Sequence, residues 1–188
     1  MHLNIPNILT LIRLGFIPVI MVVFFLPYEW ARPAAAWLYG LAAITDWFDG
    51  YLARKLNQQS ELGAFLDPVA DKLIVAVALI LITSEVASYH WLVIVGTSVI
   101  IGREITISAL REWMATLGKR STVAVSMMGK VKTAVQMLAI GFLLHKLPFY
   151  GVDTRTTGVV LLMIAAVLTV VSMLIYLKAA WTVMREHG

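Results

Sequence analysis

Four aspartates open the chemical question. Asp46 and Asp49 lie in Asp46-Trp47-Phe48-Asp49-Gly50-Tyr51-Leu52-Ala53-Arg54, and Asp67 and Asp71 in Gly63-Ala64-Phe65-Leu66-Asp67-Pro68-Val69-Ala70-Asp71. On a helix turning about 100° per residue, Asp46, Asp49, Gly50 and Ala53 share one arc, and Gly63, Asp67 and Asp71 follow one i, i+4, i+8 stripe. Each segment thus sets carboxylates beside small residues that leave room for a ligand. The link between them is short and predicts an antiparallel hairpin. In that hairpin Asp46 lies level with Asp71, Gly50 with Asp67 (Asp49 beside it) and Arg54 with Gly63. Four converging carboxylates repel one another unless they hold protons or cations. Oxygen-only ligands suit Mg²⁺ or Mn²⁺. Two such ions would clamp a pyrophosphate and stabilise charge on the phosphorus and on the leaving oxygen. The plainer alternative pairs these acids with Arg54, Lys55 and Lys72 as ordinary helix-end charges. Their setting inside apolar segments argues against it, since charge at membrane depth is functional by default.

The elements that must position these residues are membrane helices. The chain has 188 residues, 60% of them hydrophobic, and a mean hydropathy of +0.85. That is too apolar for one small soluble domain, and about 20 residues per span allow roughly six helices. The expected spans are 8–27, 34–56, 63–84, 90–112, 129–146 and 156–178, separated by turn-forming residues. The fold class expected is therefore all-α, a polytopic bundle of six transmembrane helices around a cytoplasm-facing polar cavity, forming a single domain over 1–188. Continuous apolar runs argue against a β-barrel. Arg13 ahead of an apolar run and Ala34-Ala35-Ala36 have the outline of a secretory signal, but the same texture continues through the chain, which favours a first span. There is no cysteine, which removes disulfides, thiolate metal sites and cysteine nucleophiles.

Orientation follows from the basic residues. With the N-terminus inside, the outer loops hold only Arg32, Lys146 and Arg155, and the other twelve Lys and Arg fall on the cytoplasmic side. Both termini and the aspartates are then cytoplasmic. Net charge +4 suits an anionic membrane surface or anionic substrates, and no free basic run points to nucleic acid. Only 156–177 runs free of charge for more than 18 residues; the other spans carry ionisable groups near their cytoplasmic ends. Among these, Arg103 and Arg111 lie eight apart on the fourth span, and Lys130 and Lys132 open the fifth, with Gln136 one turn on. Cations beside a metal cluster predict an anionic acceptor, most simply an alcohol bearing a phosphate. The alternative is anchoring to headgroups, or pairing of Arg103 and Arg111 with Glu104 and Glu112. Trp30, Trp37, Trp91 and Trp113 read as interface anchors. Pro68 frees the carbonyl of Ala64 and can kink the third span. The four histidines lack metal-ligand spacing.

The pattern D-x-x-D-G-x-x-A-R, eight residues, then G-x-x-x-D-x-x-x-D is complete from Asp46 to Asp71. It resembles the signature of the CDP-alcohol phosphatidyltransferases. The resemblance implies a six-helix membrane bundle, usually a homodimer, that binds two divalent metals and a CDP-linked lipid; an alcohol attacks the lipid-bearing phosphorus and CMP leaves. It implies Asp46, Asp49 and Asp67 as metal ligands, and Asp71 as a ligand, the general base or both. Gly50, Ala53, Arg54 and Gly63 would line the cytidine diphosphate site. Asn4 to Arg13, Arg103-Glu104-Ile105 and Gly129-Lys130-Val131-Lys132-Thr133 are similar to bacterial members that use glycerol 3-phosphate. This implies phosphatidyl transfer from CDP-diacylglycerol to sn-glycerol 3-phosphate at the inner membrane. Arg103, Arg111, Lys130 and Lys132 would take the acceptor's phosphate, while Asn7, Thr10 and Arg13 would border the nucleotide or the acceptor.

The competing readings are a sister synthase using inositol phosphate, serine or phosphatidylglycerol, a divalent-cation transporter, and a non-catalytic scaffold. The cationic residues argue against neutral and zwitterionic acceptors but not against inositol phosphate. A transporter needs a polar path across the membrane, which the apolar outer halves do not supply. A scaffold gives no reason for the aspartates.

Overall fold

The protein is described here by a computed structural model covering residues 5–56, 61–85, 89–116 and 127–187; side chains at 46–56 and at positions 130 and 182–184 are among those left outside the description. Among the described residues the chain forms six helices and no strand longer than a single bridge: α1 (Ile5–Phe24), α2 (Ala31–Leu56), α3 (Glu61–Thr83), α4 (His90–Thr116), α5 (Met127–His145) and α6 (Thr154–His187). Each expected span overlaps one of them. Asn7–Phe24, His90–Thr116 and Thr154–Trp181 are long and apolar enough to cross a membrane, and Val131–His145 is a shorter apolar stretch. With 26 and 23 residues, α2 and α3 have the length as well, but the second half of α2 carries Asp46 and Asp49, and α3 carries Asp67, Asp71 and Lys72. The architecture is that of a membrane helical bundle.

The chain divides into two compact units, Met1–Glu85 with Ile140–Gly158, and Val86–Ala139 with Val159–Gly188. In the first unit α1 packs against both α2 and α3. The packing faces rest on small residues: Ala31, Ala35 and Ala42 on α2, and Ala70 and Ala78 on α3, are all buried. Small side chains let helices come close where no hydrophobic effect separates helix from lipid. Gly158 follows the same logic, because a Cβ there would stand 2.7 Å from the Leu143 Cγ and 3.2 Å from its backbone N.

At one end of this unit Glu85 gathers two cations. It pairs with Arg32 at the start of α2 and, at 3.3 Å, with Lys146 just after α5. The Arg32 guanidinium also lies 3.4 Å from the Phe24 ring centroid. Tyr150 and Gly151 both have positive φ, at 50° and 78°. Phe149 and Val152 exchange two backbone bonds of 3.1 and 2.9 Å across them, a reversal of the kind that left-handed residue pairs permit. Asp153 then caps α6, accepting a 3.1 Å bond from the Arg155 backbone N–H. The Thr156 hydroxyl, followed by the Arg155 and Thr156 amides, holds the Asp153 carboxyl below its usual range.

In the second unit α4 buries Val93, Gly96, Thr97, Ile100, Arg103, Ile107 and Met114, one stripe at helical spacing. Ile107 and Met114 cluster with Tyr176 and Ala180 of α6. Gly96 faces Leu162 and Met163 of the same helix. Positions rise together along α4 and α6, so the two run parallel. The opposite face of α6 leaves Val160, Ile164, Val167, Val171, Leu174 and Trp181 exposed, an apolar stripe suited to lipid.

Candidate active site

The described half of the aspartate site is built by α1 and α3. Asn7, Thr10 and Arg13 recur every three residues on α1 and are 2%, 0% and 1% exposed. Such burial of polar side chains in an apolar helix requires partners. The Thr10 hydroxyl donates to Asp67 Oδ1 at 2.5 Å. Arg13 Nη1 donates to Asp71 Oδ1 at 2.6 Å, with the Asp71 side chain still 48% exposed. The i, i+3 pair on α1 therefore engages the i, i+4 pair on α3, and each aspartate has one oxygen fixed by α1. Tyr39 of α2 is buried, and its hydroxyl has no hydrogen-bond partner among the described residues. Gly63 is buried near the start of α3.

Asp46, Asp49, Gly50, Ala53 and Arg54 lie on α2, as expected, but their side chains fall outside the described residues. The expected levels of Asp46 against Asp71 and Gly50 against Asp67 fall there too. Among the described residues no group of three or more acidic, His or Cys side chains forms a metal cluster. Asp67 and Asp71 nevertheless fit a hard divalent cation, because both offer carboxylate oxygens from one helix face. Sequence reasoning placed Asn7, Thr10 and Arg13 at a substrate; in the structure Thr10 and Arg13 reach the aspartates. Polar residues repeating every three positions in an apolar span are the signal for such a role.

A second polar cluster occupies the other unit. Glu104 Oε1 accepts from Lys132 Nζ at 2.6 Å and from Arg103 Nη1 at 3.2 Å. Lys132 and Arg103 are themselves 3% and 7% exposed. Arg103 Nη2 also donates to the Ser172 hydroxyl at 3.4 Å, and Arg111 Nη2 to the Tyr176 hydroxyl at 3.5 Å. The Tyr176 ring centroid lies 5.6 Å from the Arg103 guanidinium and 5.4 Å from that of Arg111. Three of the four expected phosphate-binding cations thus come together; the Lys130 side chain lies outside the described residues. The pairing of Arg103 with Glu104, weighed against acceptor binding in the sequence, is present. It does not neutralise the cluster: Arg103, Arg111 and Lys132 against Glu104 leave two positive charges in excess. Ser172 and Tyr176 escaped the sequence reading, although Thr169, Ser172 and Tyr176 form a polar i, i+3, i+7 stripe in an apolar helix.

Residues 3–182 match the family profile described as CDP-alcohol phosphatidyltransferase. Two curated proteins named CDP-diacylglycerol–glycerol-3-phosphate 3-phosphatidyltransferase, from Salmonella choleraesuis (strain SC-B67) and Escherichia coli (strain K12), are 54% and 53% identical over 181 residues, covering 96% of this chain and of each relative. A protein of the same name from Shigella flexneri serotype 5b is 53% identical over the same span. With a profile match over nearly its whole length and full-length relatives at this identity, the chain belongs to the CDP-alcohol phosphatidyltransferase family.

Proposed function

We propose that this chain transfers the phosphatidyl group of CDP-diacylglycerol to sn-glycerol 3-phosphate, giving phosphatidylglycerol phosphate and CMP. The observation that carries the reading is the identity of 54% over 96% of both chains with proteins bearing that name. The geometry supports it with a carboxylate face on α3 and a separate cationic cluster.

In this reading Asp46, Asp49, Asp67 and Asp71 hold two divalent cations, Mg²⁺ or Mn²⁺. When bound, these ions neutralise charge on the diphosphate and on the departing CMP. Thr10 and Arg13 each fix one oxygen of Asp67 and Asp71, so the remaining oxygens point in set directions, as a preorganised site requires. Asp71 is a ligand, the base that takes the acceptor's hydroxyl proton, or both. The acceptor oxygen forms the new bond to the lipid-bearing phosphorus while the bond to CMP breaks and its electron pair leaves with CMP. Gly50, Ala53, Arg54 and Gly63 border the nucleotide. Arg103, Arg111, Lys130 and Lys132 bind the acceptor's phosphate, a group of about −2 charge that matches the excess on the described cluster. The whole chain acts as one membrane domain, as a homodimer in the inner membrane, with the active site and both termini cytoplasmic.

The test is CMP release by purified protein in detergent, with CDP-diacylglycerol and Mg²⁺, offering glycerol 3-phosphate, inositol phosphate or serine. Release with glycerol 3-phosphate alone, abolished by chelator, is expected. Release with another acceptor reassigns the cationic cluster; no release with any acceptor overturns the reading.

A further inference from the structure

In the second unit four buried polar atoms have no hydrogen-bond partner among the described residues: Thr97 Oγ1, Arg103 Nε, Gln136 Oε1 and Thr169 Oγ1. They come from three helices. Gln136 follows Lys132 by one turn on the same stripe of α5 and is 4% exposed. Thr169 precedes Ser172 by one turn on α6 and is fully buried; its carbonyl accepts a 2.9 Å bond from the Ser172 hydroxyl. Lys132 is joined through Glu104 to Arg103, and Arg103 to Ser172. Gln136 and Thr169 thus each stand one turn from a member of the cationic cluster, which itself carries an unused donor at Arg103 Nε.

A buried polar atom left without a partner is disfavoured by about 1–3 kcal/mol. In a native fold such an atom calls for a role, and completion by a ligand is one. The two unused atoms differ in what they ask for. A guanidinium N–H suits a phosphate oxygen, whereas an amide oxygen suits a hydroxyl and repels phosphate. A ligand satisfying both carries a phosphate and a hydroxyl. Glycerol 3-phosphate has that form: its secondary hydroxyl sits on the carbon next to the phosphate-bearing one.

Resting on the proposed function, we propose that Gln136 is a specificity-determining residue, its Oε1 accepting a hydrogen bond from the acceptor's secondary hydroxyl while Arg103 Nε donates to the phosphate. The reacting primary hydroxyl is left free for transfer. Lys132 and Arg103 attract any phosphomonoester, and Gln136 selects the polyol among them.

The experiment compares glycerol 3-phosphate with 3-hydroxypropyl phosphate, which lacks only the secondary hydroxyl, by CMP release at saturating CDP-diacylglycerol. The wild-type protein prefers glycerol 3-phosphate. Gln136→Met lowers kcat/KM for glycerol 3-phosphate by about ten-fold or more, leaves 3-hydroxypropyl phosphate within about two-fold and leaves the KM of the nucleotide lipid unchanged. An unchanged preference, or an equal loss on both acceptors with activity still measurable, overturns the inference. Should Gln136→Met be inactive towards both, Gln136→Glu, which keeps an acceptor oxygen, decides: a retained preference supports the role and a lost one overturns it. A wild-type protein inactive with glycerol 3-phosphate removes the proposed function itself, an outcome distinct from an active wild type whose preference ignores Gln136.

Discussion

Removal of the Arg13 guanidinium tests whether α1 carries part of the site. Arg13 is 1% exposed, and its bond to Asp71 is 2.6 Å long. At an effective dielectric of about 20 the bare attraction at that separation is about 6 kcal/mol. Much of it does not survive, because Asp71 remains 48% exposed to solvent and its charge is screened. Exposed pairs are worth about 0–1 kcal/mol, and one-sided removal of a fully buried pair costs about 3–5 kcal/mol. With one partner buried and one half-exposed, Arg13→Met is expected to cost about 2 kcal/mol. For a chain of this length that is a fall of about 4–8 °C in Tm. Single replacement also mixes the pair with the loss of the long Arg13 side chain from its packing. A double-mutant cycle with Asp71→Asn separates the two, by thermal unfolding in detergent with chelator present. A coupling of about 1–2 kcal/mol is expected; additivity within about 0.5 kcal/mol would refute the pairing and with it the role of α1 in setting the α3 carboxylates.

Three further outcomes follow from the same geometry. Asp67→Asn should reduce CMP release by at least about 100-fold, the scale on which lost electrostatic stabilisation acts, while the Tm in chelator moves little; near-normal release would remove Asp67 from the site. Arg111→Ala should raise the KM for glycerol 3-phosphate well above that for CDP-diacylglycerol, and an equal rise in both would move Arg111 out of the acceptor pocket. Gly158→Ala should destabilise more than Gly96→Ala. The new methyl at 158 meets the Leu143 backbone N at 3.2 Å, whereas at 96 the nearest atom is the flexible Met163 Cε. Overpacking costs about 1–3 kcal/mol, and equal melting temperatures would contradict the ranking.

The helices were legible because lipid imposes long apolar runs. Each expected segment lies on one of α1 to α6, with differences mostly at the ends, where α4 and α6 run on to Thr116 and His187. Those ends are polar, and hydropathy marks where a helix leaves the apolar layer rather than where it stops. The aspartates were legible for a related reason: charge inside apolar sequence is conspicuous, and its spacing encodes a face. What the sequence hid was partnership across helices. A hairpin reading considers α2 and α3 alone and leaves out α1, which packs on both; the bonds from Thr10 to Asp67 and from Arg13 to Asp71 join residues 57 and 58 apart in the chain. Glu104 was hidden in another way. Local spacing pairs it with Arg103, and only the fold brings Lys132 onto the same oxygen.

The length of α6 has a mechanical consequence. Its 34 residues make a rod about 51 Å long, whereas the hydrocarbon layer of a bilayer is about 30 Å thick. About 20 Å of it must therefore stand among headgroups or in water when the helix is upright, and less when it leans. Thr154 to Trp181 supplies the apolar stretch, and the remainder carries Arg185, whose guanidinium lies 5.9 Å from the Trp181 ring centroid. A sheet of lipid that thickens or thins by a few ångströms changes how much of this rod emerges, or how far it leans, and so leaves its span tolerant of the layer's depth.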